Sequence, residues 1–169
     1  VIAAWAARYL SDLQEGDEMA KKVRLGKGEV LVSERSGKHY PQDIYTDSHH
    51  HIVADEPESV GGKDLGPDPY ELFLSILGAC TNMTLRMYAN HKEMPLDHVS
   101  VRLKHNKVHA KDCDECESEK GQVNVIEREL MISGDLTDEQ RQRLLEIADR
   151  CPVHRSLHTE TLVKTHLKA

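Results

Sequence analysis

The chain has 169 residues, a formal net charge of −7 and an apolar content of 38%. The acidic balance argues against nucleic acid as a partner, because binding a phosphate backbone requires a basic face. No apolar run is long enough to span a membrane, no signal peptide is visible, and four cysteines in a chain of this size favour the reducing cytoplasm over a secreted disulfide framework.

The first segment, residues 1–20, is predicted to be a helix followed by a linker. Apolar side chains recur on one stripe of Val1–Leu13, and the acidic stretch Gln14–Glu18 follows. Two interpretations are open: an ordinary N-terminal helix, or the remnant of a preceding domain. Residues 21–169 are predicted to form a single domain.

Antiparallel strands are predicted over Lys21–Asp55. Apolar and charged residues alternate on both sides of a turn at Gly26–Gly28, and further strands are expected over Tyr40–Thr46 and His50–Ala54. The histidine run His49–His51 invites a metal-site interpretation. Because neighbouring strand residues point to opposite faces, at most two of these imidazoles share a face, and a solvent-exposed strand is favoured.

The stretch Gly66–Lys92 is predicted to contain one long helix. Asp68 stands at the N-cap, Pro69 at the first helical position and Glu71 three residues after the cap, which is a capping-box pattern. Apolar residues cover nearly all faces as far as Cys80, so this half is expected to be enclosed. Polar residues return afterwards, so the second half is expected to emerge toward solvent.

The next region is predicted to hold two strands. Val99–Leu103 alternates as a half-buried strand, the polar segment His105–Glu119 interrupts the pattern, and Val123–Ser133 resumes it. The adjacent apolar residues Val125 and Ile126 break the alternation, which is typical of a β-bulge.

The C-terminal region is predicted to contain a helix pair and a last strand. Thr137–Gln140 is a capping box that opens the first helix, Cys151-Pro152 begins the second, and Thr161–Leu167 alternates as a strand. The order of strands, helix, strands, helix pair and strand predicts an α+β domain.

Two of the four cysteines occupy distinctive positions. Cys80 lies inside the long helix, where unreactive packing is the commoner role of a thiol. Cys151 lies at a helix start, where backbone N–H groups favour a thiolate, and Arg150 and His154 add positive charge nearby. An enclosed thiol and a second thiol at a helix start suit an attacking and resolving pair if the fold brings them together.

These stretches resemble the OsmC/Ohr family of thiol-dependent peroxidases. The similar segments are Gly66–Leu74, Gly78–Thr81, Met83–Ala89 and Cys151–Leu157. The resemblance runs from about Val23 to Leu167. It implies an OsmC-like α+β fold in which strongly curved antiparallel sheets pack on a long buried central helix and a second helix pair, in an intertwined homodimer. The N-terminal helix also resembles the end of an α/β-hydrolase domain that precedes an OsmC-type domain in some bacterial proteins.

The resemblance implies reduction of organic hydroperoxides, with Cys80 attacking and Cys151 resolving. It implies a small hydrophobic peroxide as substrate, an external dithiol as reductant, and no required cofactor. In the family an arginine stabilises the thiolate and a glutamate holds the arginine, and Arg35 and Glu71 are the candidates here. The glutamate of the Ohr branch lies ten residues before the cysteine, where this chain has Tyr70, and Glu71 is nine before (80 − 71).

Each of these two assignments has an alternative. Arg35 also fits a solvent-exposed turn charge, and Glu71 also fits a purely capping role. Arg86, six residues after Cys80, is a further arginine on a different part of the helix.

A second group of residues has the spacing of metal ligands. His105, His109, Cys113 and Cys116 provide two imidazoles and a Cys-x-x-Cys pair, a ligand set that suits tetrahedral zinc. A redox-active dithiol and an unreactive exposed hairpin tip are the alternatives. A second function is therefore open: a non-catalytic module, partnered with a hydrolase, that binds a small molecule in an apolar pocket or zinc at Cys113 and Cys116.

Overall fold

The computed structural model describes residues 18–35, 39–113 and 120–168. The chain divides into two compact units, Val1–Leu72 and Phe73–Ala169. The predicted helix at Val1–Leu13 lies outside the described residues. Residues 18–22 are helical, so this stretch is neither the linker end nor the strand start that the sequence predicted.

The first unit contains a three-stranded antiparallel sheet. Its strands are β1 (Val30–Glu34), β2 (Gln42–Thr46) and β3 (His51–Ala54), with β2 in the centre. The strands predicted over Tyr40–Thr46 and His50–Ala54 are confirmed. The strand predicted before the Gly26–Gly28 turn is wrong, because residues 23–26 are irregular and make no strand pairing. Alternation creates a strand only where a neighbouring edge supplies hydrogen bonds.

The central helix α1 runs from Pro69 to His91. Its predicted capping box is confirmed: the Glu71 backbone N–H donates to Asp68 Oδ1 at 2.8 Å, and the Asp68 N–H donates to Glu71 Oε2 at 3.0 Å. These two bonds satisfy orphan donors of the first turn and fix where the helix begins.

The predicted burial of α1 is confirmed only in part. Ile76, in the first half, is 56% exposed, whereas Leu85 and Ala89, in the second half, are fully buried. The reason is tertiary. The second half packs into the main core of its unit, a cluster formed by Leu85, Ala89, Leu96, Leu136, Leu144, Ile147 and Ala148. The first half has an apolar face that the described residues of this chain leave partly uncovered.

A long antiparallel hairpin follows, formed by β4 (Leu96–His109) and β5 (Gln122–Gly134). The strand therefore continues through the polar segment that was predicted to interrupt it at His105, because main-chain pairing does not require apolar side chains. The bulge predicted at Val125 and Ile126 is also wrong: both residues pair regularly, and the register irregularity lies at Leu96/His98.

The adjacent apolar pair in β5 marks a change of covered face. Ile126, Leu130 and Ile132 are half-buried on one face, whereas Val123 and Val125 are half-buried on the opposite face. Since successive strand residues alternate in direction, burial switches sides between Val125 and Ile126 without an inserted residue.

Helices α2 (Asp138–Ala148) and α3 (Pro152–Leu157) complete the second unit. The predicted Thr137–Gln140 capping box is confirmed, with both reciprocal hydrogen bonds present. The strand predicted at Thr161–Leu167 is wrong: these residues are irregular and exposed, and Leu167 is 99% exposed. The fold is mixed α+β, as predicted, with one three-stranded and one two-stranded sheet among the described residues. No helix in the described ranges is long and apolar enough to cross a bilayer.

Candidate active site

The structure brings Cys80 and Cys151 together. Both are free thiols, Cys80 half-buried on α1 and Cys151 fully buried before α3. The Cys151 side chain is among the groups that act directly on the Cys80 thiol. Near Cys80, α1 also approaches the hairpin closely: an ideal Cβ built on Gly78 would lie only 2.8 Å from Leu103 Cδ1.

Cys151 is held by short-range hydrogen bonds. It is the N-cap of α3, as predicted, and its Sγ accepts from the His154 backbone N–H at 3.3 Å. Pro152 occupies the first turn, where its missing N–H costs nothing. The Thr81 hydroxyl, on α1, lies 3.8 Å from Cys151 Sγ. The position of this thiol is therefore set both by its own helix and by the central helix.

The Cys80 thiol is less favourably placed for ionisation. Burial raises the pKa of Cys80, and the neighbouring Cys151 thiol raises it further. The Val153 backbone N–H and the Thr84 hydroxyl act in the opposite direction and lower the pKa. Among the described residues, the groups that shift this pKa include no cation.

Arg128 is a site residue that sequence reasoning missed. It lies on β5 opposite Leu103, and its Nη1 donates to Thr81 Oγ1 at 3.2 Å and to the Ala148 carbonyl at 3.1 Å. Its Nη2 pairs with the Asp149 carboxylate, and only 13% of the arginine side chain is exposed. One signal could have identified it: Arg128 occupies an inward position in a run of otherwise apolar inward residues, where an unpaired charge would be costly.

His154 lies beside the same arginine. Burial lowers the pKa of His154, and the positive charge of Arg128 and the neighbouring His158 lower it further. The His154 and His158 rings stand 4.6 Å apart between centroids. His154 is therefore neutral at pH 7, and its described contact with Cys151 is made by the backbone N–H.

The arginines and the glutamate that the sequence offered as supports for the Cys80 thiolate make other contacts. Arg35 Nε pairs with Asp43 Oδ1 at 2.8 Å, in the first unit, and the Glu71 carboxylate takes part in the cap of α1. Arg86 donates to the carbonyls of Leu96 and Asp97, so its guanidinium fastens α1 to the start of β4. The catalytic roles of Arg35 and Glu71 stay predictions.

The predicted metal ligands are only partly described. His105 Nε2 lies 3.0 Å from Asn124 Oδ1, His109 Nδ1 accepts from the Lys111 N–H at 3.3 Å, and Cys113 is disulfide-bonded. A disulfide sulfur is not a zinc ligand, since zinc binds thiolates. Cys116 lies outside the described residues, and within those residues no three potential ligands are grouped to hold a metal ion. Zinc binding stays a prediction that metal analysis can test.

Comparisons with known proteins agree with this architecture. The family model for OsmC-like protein matches residues 61–166. Similar solved structures include an OsmC-like protein from Mycoplasma pneumoniae, with a TM-score of 0.60, 17% identity and coverage of 79% of this chain and 88% of that one. An organic hydroperoxide resistance protein OsmC from Legionella pneumophila has a TM-score of 0.55, 20% identity and coverage of 79% and 91%.

A third similar structure is an organic hydroperoxide resistance protein from Elizabethkingia anophelis with crystallant-derived thiocyanate bound. Its TM-score is 0.56 and its identity 20%, with coverage of 78% of this chain and 88% of that one. No curated protein matches the chain. Because the family model covers more than half of the sequence, including both free cysteines, the chain belongs to the OsmC-like protein family.

Proposed function

We propose that this protein is a thiol-dependent hydroperoxide reductase in which Cys80 attacks the peroxide and Cys151 resolves the oxidised intermediate. The observation that carries the proposal is the pair of free thiols, one half-buried and one fully buried, with the second acting directly on the first. Two similar structures, at 20% identity, are organic hydroperoxide resistance proteins, which favours the same reaction class.

The difference in exposure assigns the two roles. A peroxide in solution reaches the half-buried Cys80 more readily than Cys151, whose residue is fully buried. The Cys80 thiolate attacks the terminal oxygen of ROOH, the O–O bond breaks, and the products are a sulfenic acid and, after protonation, the alcohol ROH. Cys151 then displaces the oxygen as water to form a disulfide, which an external dithiol reduces by exchange.

A cation is still required to ionise Cys80, because burial raises the pKa of this thiol. Arg35 is the proposed source. Its guanidinium is already oriented by Asp43, whose Oδ1 also contacts His51 Nε2 at 2.7 Å. Glu71 is proposed to help hold this arginine, in addition to its observed capping bond.

A homodimer is also proposed, because α1 presents an apolar stripe that the described part of the chain leaves open. Ile76, Met83 and Met87 are 56%, 65% and 72% exposed, and Cys80 lies within the same stripe. Residues spaced by three and four positions share a helix face and suit packing against a second helix. A second copy on this stripe would narrow the approach to Cys80 and favour hydrophobic peroxides.

Consumption of cumene hydroperoxide by the reduced protein tests the proposal. With dithiothreitol as reductant, the wild-type protein is expected to turn over and to accumulate the Cys80–Cys151 disulfide when the reductant is exhausted. Mass spectrometry after thiol alkylation identifies the oxidised residues. No peroxide loss, with both cysteines recovered as thiols, would reject the reductase and favour the non-catalytic binding module.

A further inference from the structure

We infer that Thr81 and Arg128 form a polar relay that prepares Cys151 for disulfide formation, and that Arg128 is a positioning residue for this step. The inference deepens the proposed function and rests on it for the identity of the oxidant. The relay itself concerns the chemistry of the thiol pair, so it can be tested with an oxidant that is not a peroxide.

The geometry is centred on the Thr81 hydroxyl, which is fully buried. Thr81 Oγ1 lies 2.8 Å from the Leu77 carbonyl, 3.8 Å from Cys151 Sγ and 3.2 Å from Arg128 Nη1. A hydroxyl carries a single proton, so it donates either to the carbonyl or to the sulfur. The shorter contact to Leu77 holds the proton while Cys151 is a neutral thiol, and negative charge on Sγ would draw the proton toward sulfur.

Arg128 makes the Thr81 hydroxyl a stronger hydrogen-bond donor to the Cys151 sulfur. Its N–H occupies a lone pair of Thr81 Oγ1, and a charge-assisted bond of this kind polarises the O–H and strengthens it as a donor. The Asp149 carboxylate pairs with the same guanidinium and helps to orient it toward Thr81. Arg128 therefore acts on the sulfur through the threonine.

The same side chain also places the turn that carries Cys151. Arg128 Nη1 binds the Ala148 carbonyl at the end of α2, and Nη2 binds Asp149, two residues before the cysteine. One guanidinium thus fixes the hydroxyl on α1 and the backbone that leads into the thiol. Arg128, on β5, therefore holds both sides of the 3.8 Å contact between Thr81 Oγ1 and Cys151 Sγ.

The relay assists the condensation of Cys151 with the oxidised Cys80. Cys151 attacks the sulfur of the Cys80 sulfenic acid, the S–S bond forms and the S–O bond breaks. The departing hydroxide combines with the proton of the Cys151 thiol to give water. The Cys151 sulfur is oxidised and the Cys80 sulfur is reduced. Negative charge passes through the Cys151 sulfur during this transfer, and the Thr81 O–H is the side-chain donor described beside it.

The experiment separates the two steps in the full-length reduced protein. Cumene hydroperoxide is the oxidant in one arm, and the diazene diamide is the oxidant in the other. A thiolate adds to the N=N bond of diamide, and a second thiol then attacks that sulfur and displaces the hydrazine to leave a disulfide. Trapping with dimedone reports the sulfenic acid of the first step, and quenched mass spectrometry reports the Cys80–Cys151 disulfide of the second.

The informative variants are Thr81→Val, which removes the hydroxyl at nearly constant shape, and Thr81→Ser, which retains it. Thr81→Val and Arg128→Met are expected to slow disulfide formation by about tenfold to a hundredfold, the size of a lost hydrogen bond to a charged group. Thr81→Ser is expected to restore the rate, and the double variant to be no slower than either single variant. The rate of the first step should not change.

The matched control is Arg102→Met on β4, an exposed arginine paired only loosely with Glu129 at 3.6 Å. Wild-type rates in Thr81→Val would overturn the inference, as would equal slowing of both steps. If Arg128→Met fails to fold, the comparison of Thr81→Val with Thr81→Ser decides the relay and Arg128→Lys decides the positioning role. Disulfide formation with diamide but no reaction with peroxide would reject the proposed function while still testing the relay.

Discussion

The two faces of helix α1 serve different purposes. One face carries Leu77, Thr81, Leu85 and Ala89, which are buried within their own unit, and it reaches Cys151 through the threonine. The other face carries Ile76, Met83 and Met87, which are exposed, with the half-buried Cys80 at its edge. The covered face stabilises the chain and contacts Cys151. The open face carries the Cys80 thiol at its margin.

The largest expected effect follows from the position of Cys80 at the edge of the open face. Cys80→Ser should reduce peroxide turnover by about a thousandfold or more, because the attacking thiolate is lost. Cys151→Ser should instead release one equivalent of alcohol and stop at the sulfenic acid. Both are measured by alcohol release in a single-turnover assay. One full equivalent from Cys80→Ser and none from Cys151→Ser would reverse the two roles.

A second comparison addresses stability. Leu85→Ala on the covered face should lower the free energy of unfolding by about 2–5 kcal/mol, since a fully buried leucine leaves a cavity. Met83→Ala on the open face should cost less than about 1 kcal/mol in the isolated chain, because surface substitutions have small effects. Urea denaturation measures both. Equal costs at low protein concentration would mean that the two faces are not distinct within one chain.

Assembly gives the third test of the comparison. If a second copy covers the open face, Met83→Glu should shift the protein from dimer to monomer, because a carboxylate would be buried in an apolar contact. Met83→Leu keeps the apolar character and serves as the control. Light scattering coupled to size exclusion reports the mass. A wild-type protein that is monomeric at micromolar concentration would contradict the dimer.

The last test concerns pH. Burial raises the pKa of Cys80, so without the proposed Arg35 cation the thiolate fraction should still be growing as pH rises through neutrality. In that case the rate of peroxide attack should increase about tenfold per pH unit until the pKa is reached. Stopped-flow measurements between about pH 6 and pH 9 check the slope, because a free thiol begins to ionise in this range.

A rate that is already flat at neutral pH would show that a cation acts on Cys80 in solution. In that case Arg35→Met should restore the slope, with Arg24→Met as the control on a second arginine of the same unit. This outcome would connect the strand-turn arginine to the thiol. An unchanged flat profile in Arg35→Met would remove Arg35 from the mechanism.

Local patterns predicted local structure well. The two capping boxes and the Cys151 cap were predictable because each depends on residues within three positions of one another. The hairpin strands were also predicted. The change of covered face at Val125 and Ile126 resembled a bulge, because the alternation of apolar residues reflects burial and not strand pairing. The last strand failed because a strand needs a neighbouring edge, which its own residues do not provide.

The site was predictable only in part, because its polar contacts join distant segments. The Cys80 and Cys151 motifs identified the thiols, but the contact between Thr81 and Arg128 depends on the hairpin register that sets Arg128 opposite Leu103. No residue near Arg128 in the sequence indicates that it contacts Thr81. The burial of α1 was misjudged for a similar reason. The apolar content of the helix indicates how much apolar surface must be buried, but not which half of the helix packs into the core.

The cap on α3 is a sulfur atom, and this ties the order of that helix to oxidation. As a thiol, Cys151 accepts the amide proton of His154 through Sγ. Once that sulfur is joined to Cys80 it can no longer become a thiolate, which is the stronger acceptor, so the first turn of α3 should fray more readily. We expect the His154 amide to exchange with solvent faster in the disulfide form. Fraying of the helix start would then expose the Cys80–Cys151 disulfide to the incoming dithiol. Equal exchange in both forms would mean that disulfide formation does not change the start of α3.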